Sequence, residues 1–235
     1  MLARFGERLS QAWYTAAYWP LLLAPLSLIY SLALHLISFF RKPSPPSAVP
    51  VIVVGNITAG GTGKSPLVSY LVRYFESKGL RAGIVSRGYG INIPSSEVRL
   101  VSLDSEASHV GDEPLMLKRL LGCDIALCPQ RSLAVAALES MGVDVVISDD
   151  GLQHHAMYRD IELCVVDGSR GLGNQWLLPV GPLREPKSRL ASVDAVVFNG
   201  ANSPESAELS EFLARHHVIT SRMELVPHNF INVDT

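Results

Sequence analysis

The sequence predicts an α/β protein with a doubly wound, mostly parallel sheet, preceded by an N-terminal hydrophobic helix. Short runs rich in Val and Ile are continuously apolar, as in parallel strands that are covered on both faces. Helical segments lie between several of these runs, and this alternation is typical of a doubly wound sheet. The 235 residues are enough for one such domain plus an appended element.

The predicted elements follow one another from residue 51 onward. Strands are predicted at 51–54, 82–86, 98–101, 125–127, 143–148, 161–166, 195–198 and 217–224. Helices are predicted at 66–78, 113–121, 131–141 and 204–215. Four units are expected in the chain: an N-terminal helix (1–42), a Pro-rich linker (43–50), the main α/β domain (51–190) and the start of a smaller C-terminal α/β subdomain (191–235).

The N-terminal segment carries no charged residue between Arg8 and Arg41. Within it, residues 19–40 are mostly apolar and are long enough to cross a bilayer. Spanning the membrane, lying in its interface and docking on the protein body remain open, because a polar stripe falls at helical spacing on one face. The stripe consists of Ser27, Ser31, His35 and Ser38. Arg41 and Lys42 after the run favour a cytoplasmic location for the remainder of the chain.

Composition excludes several classes of function. The net charge is −2, and no tract rich in Lys and Arg argues for a nucleic-acid partner. Cys123, Cys128 and Cys164 show neither a CxxC motif nor a Cys/His spacing, so buried, reduced thiols are expected rather than a zinc site.

A glycine-rich loop follows the first predicted strand and predicts a phosphate-binding site. Residues 58–65 read TAGGTGKS, which matches the P-loop pattern except that Thr58 replaces the first Gly. Backbone amides of the glycines and the following helix N-terminus can bind phosphate oxygens. Lys64 would reach the terminal phosphates, and the Ser65 hydroxyl would ligate Mg²⁺. We therefore expect a P-loop NTPase-like fold that binds ATP through Thr58, Ala59, Gly60, Gly61, Thr62, Gly63, Lys64 and Ser65.

A carboxylate pair follows a later apolar strand. Asp149 and Asp150 suit a divalent ion, although an Asp-Gly turn is an alternative explanation. Asp167, at the end of the next strand, is a competing metal carboxylate. Gln153 and His154 follow the pair closely and could face the same crevice.

Asp112 and Glu113 open a predicted helix. Asp112 could be the N-cap, with Glu113 complementing the helix dipole, or Asp112 could be a general base that accepts the proton of an attacking hydroxyl. Basic and aromatic residues elsewhere could bind phosphate groups, although each one alone is commonly a solvated side chain. They are Arg87 and Tyr89 after the second strand, Arg131, and Arg184.

Five motifs in order resemble the tetraacyldisaccharide 4′-kinases of lipid A synthesis: GNITAGGTGKSP, SRGYG, VGDEP, ISDDGLQHH and GNQWLLPVGPLREP. The resemblance covers the chain as far as about Asn199. It implies transfer of the γ-phosphate of ATP, with Mg²⁺, to the 4′-hydroxyl of a lipid A disaccharide 1-phosphate. It also implies a location at the cytoplasmic face of the Gram-negative inner membrane, where the N-terminal helix would meet the lipid acceptor.

The resemblance assigns roles to individual residues. It implies Asp112 as the catalytic base and Lys64 at the transferred phosphate. Around the metal it places Ser65, Glu113, Asp149, Asp150 and Gln153. Toward nucleotide or lipid it places Arg87, Tyr89, Arg131, His154 and Arg184.

Members of that family are typically longer and carry a second, C-terminal domain, so the subdomain at 191–235 is expected to be incomplete and the chain to bind ATP but turn over poorly. We expect a monomer. The sequence leaves two alternatives open: a membrane-bound P-loop ATPase or GTPase switch, and an inactive, truncated paralogue.

Overall fold

The computed structural model describes residues 2–15, 17–40, 44–201 and 203–226. Within these ranges eight strands form one sheet. The strands are β1 (Val51–Gly55), β2 (Ala82–Ser86), β3 (Arg99–Leu100), β4 (Asp124–Leu127), β5 (Val145–Asp149), β6 (Ile161–Asp167), β7 (Ala195–Asn199) and β8 (Ile219–Met223). The α-helices are α1 (Leu2–Ala12), α2 (Ala24–Phe40), α3 (Lys64–Ser77), α4 (Ala107–Val110), α5 (Asp112–Leu121), α6 (Arg131–Ser140) and α7 (Pro204–Arg215).

The strand order is β3-β4-β2-β5-β1-β6-β7-β8, with β1 near the centre. Every pair of neighbouring strands is parallel except β3 with β4. The prediction of a doubly wound, mostly parallel sheet is therefore confirmed. The short strand β3 lies at the sheet edge, where an antiparallel strand is common on an otherwise parallel sheet.

The apolar run of β1 explains why helices cover both faces of the sheet. Side chains alternate between the two faces of a strand, so Val51 and Val53 join one hydrophobic cluster, and Ile52 and Val54 join the other. The first cluster contains residues of α6 and α7, and the second contains residues of α3 and α5. All five residues of β1 are buried. The three cysteines are buried and free, as expected from their spacing.

The register of the central strands brings their carboxyl ends to one edge of the sheet. Val54 of β1 lies beside Asp149 of β5, and β2 pairs with β5 on the other side. At this edge β1 leads into the P-loop, β5 ends at Asp149 and is followed by Asp150, and β2 leads into the segment that begins with Arg87. Ligands bind at this edge of open α/β sheets.

The C-terminal part of the chain continues the same sheet. β7 pairs with β6, and β8 pairs with β7, both in parallel. The predicted subdomain boundary at residue 191 falls in the 3-10 helix Lys187–Ser192, just before β7. The division of the chain into units remains a prediction.

The N-terminal segment contains two α-helices rather than the single predicted one. A turn after α1 and the 3-10 helix Trp19–Leu23 separate α1 from α2. Pro20 lies at the start of that 3-10 helix, where its missing N–H and fixed φ favour a helix beginning and prevent continuation from α1. Arg41 and Lys42, on which the predicted orientation depends, lie outside the described residues.

One face of α2 contacts the protein body. Ser27, in the predicted polar stripe, is buried, and its hydroxyl donates to the carbonyl of Leu177 at 2.9 Å. The opposite face is exposed and apolar. Its most exposed large side chains are Leu28, Ile29, Leu32 and Phe39, and Leu22 in the preceding 3-10 helix is also exposed. Residues 19–37 are long and apolar enough to cross a membrane, with a mean hydropathy of 1.9.

Candidate phosphate-binding site

A cavity of about 1030 Å³ opens at the carboxyl edge of the sheet. Sixteen of the residues predicted for the site line it: Ala59, Gly60, Gly61, Thr62, Gly63, Lys64, Ser65, Arg87, Tyr89, Glu113, Arg131, Asp149, Asp150, Gln153, His154 and Arg184. Thr58 and Asp112 are the predicted residues that are not part of this lining. The fold therefore gathers residues from separate sequence motifs into one space.

The P-loop backbone requires glycine at two positions. Gly60 and Gly63 adopt φ values of +102° and +88°, which favour glycine. A Cβ on Gly63 would also lie 2.3 Å from the side-chain nitrogen of Asn199, so a larger residue would clash there. α3 begins at Lys64, directly after the loop, and its N-terminal amides therefore face the cavity.

Thr58 explains the departure from the usual P-loop pattern. It is buried and forms an isolated antiparallel bridge with Leu183, and the amide of the next residue, Ala59, donates to the Pro182 carbonyl at 2.7 Å. Position 58 is thus paired with a neighbouring segment rather than turned toward the cavity. An extended residue with a side chain suits that pairing better than glycine.

Asn56 is a site residue that the sequence motifs do not reveal. Its side chain is fully buried, and its amide nitrogen donates to the carbonyls of Thr58 at 2.8 Å and Gly60 at 3.3 Å. Its amide oxygen accepts from Lys64 Nζ at 3.2 Å and from the Arg184 guanidinium. One amide therefore fixes the loop backbone and two cations. The available signal was a polar residue directly after the first strand.

Asp150 is surrounded by positively charged side chains. It accepts two hydrogen bonds from Arg184, at 3.0 and 3.2 Å, and lies 3.5 Å from Lys64 Nζ. Its backbone carbonyl accepts from Arg131 at 2.9 Å. Although burial opposes ionisation, Arg184 and Lys64 hold the pKa of Asp150 below its ordinary value. Its φ of +49° is rare for a residue other than glycine, and such backbone strain is concentrated at functional sites.

Asp149 has a different environment. It is buried, and its Oδ1 atom has no hydrogen-bond partner in the described structure. Burial, with smaller contributions from Glu113 and Asp150, raises its pKa to about 6. A buried carboxylate with an unsatisfied oxygen is stabilised by a cation, so Asp149 fits a metal better than Asp150 does.

Ser65 and Glu113 lie on the same side of the cavity, where the Ser65 hydroxyl donates a hydrogen bond to the Glu113 carboxylate. No group of three or more His, Cys, Asp or Glu side chains close enough to hold a metal alone occurs among the described residues. Mg²⁺ does not require such a group, since it commonly binds one or two carboxylates and completes its coordination with phosphate and water.

Asp167, the competing metal carboxylate, lies outside the cavity lining. It accepts from Arg170 Nε at 2.7 Å, and Arg170 in turn donates to the carbonyl of Gly61 at 2.5 Å. Burial raises the pKa of Asp167, but the hydrogen bonds from Ser169 and Arg170 outweigh it and hold the pKa below its ordinary value. Asp167 therefore holds Arg170, which in turn bonds the P-loop backbone at Gly61.

The N-cap interpretation of Asp112 is wrong. Gly111, with a φ of +84°, is the N-cap of α5, and Asp112 is the first helical residue. Asp112 lines a second cleft, of about 770 Å³, together with Glu106 and Arg119. Glu113, the next residue in the chain, lines the first cavity and bonds Ser65, so two consecutive residues line the two spaces. Its role as a base remains a prediction.

The predicted substrate residues differ in exposure. Tyr89 is 93% exposed at the cavity rim, whereas Arg131 is only 4% exposed. Burial lowers the pKa of Arg131 to about 10, against the opposing effect of Asp150 and Asp149. Arg131 is therefore held in one position at the cavity wall, while Tyr89 is exposed enough to meet a large ligand. Arg87 and His154 also line the cavity.

Comparison with known proteins places this geometry in a family. Residues 19–235 match the family model described as Tetraacyldisaccharide-1-P 4'-kinase. A tetraacyldisaccharide 4'-kinase of Aeromonas hydrophila subsp. hydrophila is 47% identical over 198 residues, which are 82% of this chain and 59% of that protein. The corresponding protein of Stutzerimonas stutzeri is 47% identical over 201 residues, with coverage of 83% and 60%. The chain thus spans about three fifths of the length of these curated relatives.

A solved structure supports the fold. The crystal structure of LpxK from Aquifex aeolicus, in complex with ATP, matches with a TM-score of 0.66 and 24% identity, covering 89% of this chain and 82% of that chain. The predicted fold class and the family resemblance are both confirmed. On the match of residues 19–235, the chain belongs to the tetraacyldisaccharide-1-P 4'-kinase family.

Proposed function

We propose that this chain transfers the γ-phosphate of ATP to the 4′-hydroxyl of a tetraacyldisaccharide 1-phosphate, at the cytoplasmic face of the inner membrane. One observation carries the proposal: Lys64 and Ser65 of the P-loop share a single cavity with Glu113 and the buried Asp149. Family membership supplies the acceptor, since the relatives are named for it.

The chain's own groups suit the binding of a triphosphate. The loop amides and the N-terminus of α3 provide fixed donors, and Lys64 provides a positive charge. Lys64 is held by Asn56 and Asp150, at 3.2 and 3.5 Å, and would exchange these partners for phosphate oxygens. Preorganised donors of this kind stabilise the charge that develops on the transferred group.

The donor set also fits Mg²⁺, which would neutralise phosphate charge when bound. We propose Ser65 and Asp149 as its principal protein partners, with Glu113 and Gln153 acting near them. Asp150 lines the same cavity, but its two hydrogen bonds from Arg184 favour a role in orienting Lys64 and Arg184. The unsatisfied Asp149 oxygen supports this division of roles.

Proton removal from the acceptor hydroxyl is assigned to Asp112. Asp112 lines the second cleft and is followed by Glu113 of the first cavity, so we propose that the acceptor hydroxyl lies near the start of α5. A positioned carboxylate can take a hydroxyl proton as phosphoryl transfer proceeds. Arg87, Tyr89, Arg131, His154 and Arg184 are proposed to contact nucleotide or acceptor.

The exposed face of α2 is proposed to lie in the membrane interface. The most exposed side chains of this face include Phe39, 83% exposed, Leu28, 73% exposed, and Ile29, 65% exposed. An apolar face of this size, opposite a docked polar face, is typical of helices that lie on a bilayer. Such a helix would bring the cavity to an acceptor that stays in the membrane.

The decisive experiment follows radiolabel from [γ-³²P]ATP into tetraacyldisaccharide 1-phosphate in detergent micelles with Mg²⁺. Lys64→Ala tests the site, and Lys78→Ala, just past the end of the same helix, is the matched control. Labelled lipid that depends on Lys64 but not on Lys78 supports the proposal. Release of free phosphate without labelled lipid indicates a nucleotide switch instead, and neither product indicates an inactive paralogue.

A further inference from the structure

We infer that α2 is part of the phosphate site as well as a membrane contact: Tyr30, supported by Ser27, positions Arg184 through the loop that carries it. The inference rests on the proposed function, because it assigns Tyr30 a purpose only if Arg184 meets nucleotide phosphate. Tyr30 is a positioning residue in this scheme and touches no substrate. The contacts join α2 to the loop that carries Arg184, and the same loop to the P-loop.

The docked face of α2 is hydrogen-bonded to the loop 177–184. The Ser27 hydroxyl donates to the Leu177 carbonyl at 2.9 Å and accepts from the Val180 amide at 3.2 Å. One turn along the helix, the Tyr30 hydroxyl donates to the Arg184 carbonyl at 2.9 Å. Both ends of the loop are therefore held by one helix.

The same loop is paired with the beginning of the P-loop. The Arg184 amide donates to the Ile57 carbonyl at 2.7 Å, and the Ala59 amide donates to the Pro182 carbonyl, also at 2.7 Å. Leu183 forms a bridge with Thr58 between these two bonds. Residues 182–184 thus lie between α2 on one side and residues 57–59 on the other.

Arg184 is the point where these contacts converge. Its amide is fixed by the P-loop and its carbonyl by Tyr30, so the direction of its side chain is set from both sides. The guanidinium reaches Asp150 at 3.0 Å and the Asn56 carbonyl at 3.0 Å, next to Lys64. Loss of the Tyr30 bond would free one side of this backbone and let the guanidinium leave the cavity more often.

The two faces of α2 differ in what they contact. Leu28 and Leu32, 73% and 61% exposed, point away from the body, whereas Ser27 and Tyr30 face the loop. A force that moves the helix relative to the body, such as insertion of its apolar face, would act on Arg184 through these bonds. The cavity would then be most complete when α2 is seated.

The test is a double-mutant cycle on the dissociation constant of MgATP, measured by isothermal titration in detergent micelles. Tyr30→Phe removes only the hydroxyl, and Tyr18→Phe is the control, because Tyr18 is an exposed tyrosine of the same segment. Since one hydrogen bond contributes a modest net free energy, Tyr30→Phe should weaken MgATP binding by about threefold to tenfold. Tyr18→Phe should leave it unchanged.

Non-additivity distinguishes positioning from a general structural role. In the Arg184→Ala background, Tyr30→Phe should have no further effect on MgATP binding, because the group that it positions is gone. An equal effect of Tyr30→Phe in both backgrounds, or none in the wild type, overturns the inference while leaving the proposed function intact. Absence of saturable MgATP binding by the wild-type chain would instead overturn the proposed function, and the inference with it.

Discussion

Replacement of Asn56 by alanine should destabilise the chain by about 5 kcal/mol, because this fully buried side chain bonds two backbone carbonyls and two cations. Two bonds, to the carbonyls of Thr58 and Gly60, are neutral and contribute about 1 kcal/mol each. Two more join its oxygen to Lys64 and Arg184, and bonds to charged groups contribute about 1.5–3 kcal/mol. The lower values apply here, since both cations keep Asp150 as a partner.

Urea unfolding in nonionic detergent, followed by far-ultraviolet circular dichroism, measures this loss. Asn199→Ala is the matched control: it removes an amide that makes one bond to the P-loop, to the Thr62 carbonyl at 3.1 Å, and should cost about 1 kcal/mol. Asn56→Asp should also destabilise the chain, because a carboxylate oxygen would face the Thr58 and Gly60 carbonyls. If Asn56→Ala cost no more than Asn199→Ala, the central role of Asn56 would be refuted.

Three further predictions concern charge, chemistry and the membrane. Without ligand, the pKa of Asp149 is raised from 3.8 to about 6, so its contribution to stability is present at low pH and is lost as pH rises from about 4 to 6. Asp149→Asn should remove this loss of stability, so the difference in unfolding free energy between variant and wild type should change between pH 4 and pH 7. The same difference at both pH values would contradict the assignment. Asp112→Asn should reduce turnover by about 100-fold or more while changing the MgATP dissociation constant less than about twofold; retained turnover in the lipid-labelling assay would remove Asp112 as the base. Leu28→Glu should lower the partition coefficient onto phosphatidylglycerol vesicles by at least about tenfold in a flotation assay, whereas Leu80→Glu on the body should not; equal effects would argue against α2 as the membrane contact.

The P-loop and the sheet could be predicted because their signals are local. Gly60, Gly63, Lys64 and Ser65 carry their requirements in a few consecutive residues, and apolar runs mark parallel strands that are covered on both faces. Strand β1 was predicted at 51–54 and occurs at Val51–Gly55, and the predicted helix at 204–215 matches α7. The register of parallel strands then brings separate motifs to one edge of the sheet.

The features that could not be predicted depend on contacts between distant parts of the chain. Asn56 is a single polar residue after a strand. Its importance depends on a contact with Arg184, which lies 128 positions later in the sequence. The polar stripe allowed three placements of α2, and the bonds of Ser27 and Tyr30 to residues 177–184 show which face is docked. Asp112 was correctly predicted to lie at the beginning of a helix. Gly111 is nevertheless the N-cap residue, because its positive φ suits the turn between α4 and α5.

The central claim is that the cavity at the end of β1 binds the terminal phosphates of a nucleotide. A crystal structure of the chain with Mg²⁺ and a non-hydrolysable ATP analogue tests it most directly. We predict that the terminal phosphate contacts the amides of residues 60–64 and that the metal lies beside Ser65 and Asp149. We also predict that Lys64 Nζ leaves Asn56 and Asp150 and bonds phosphate oxygens. A nucleotide bound elsewhere, with Lys64 still bonded to Asn56 and Asp150, would contradict the claim.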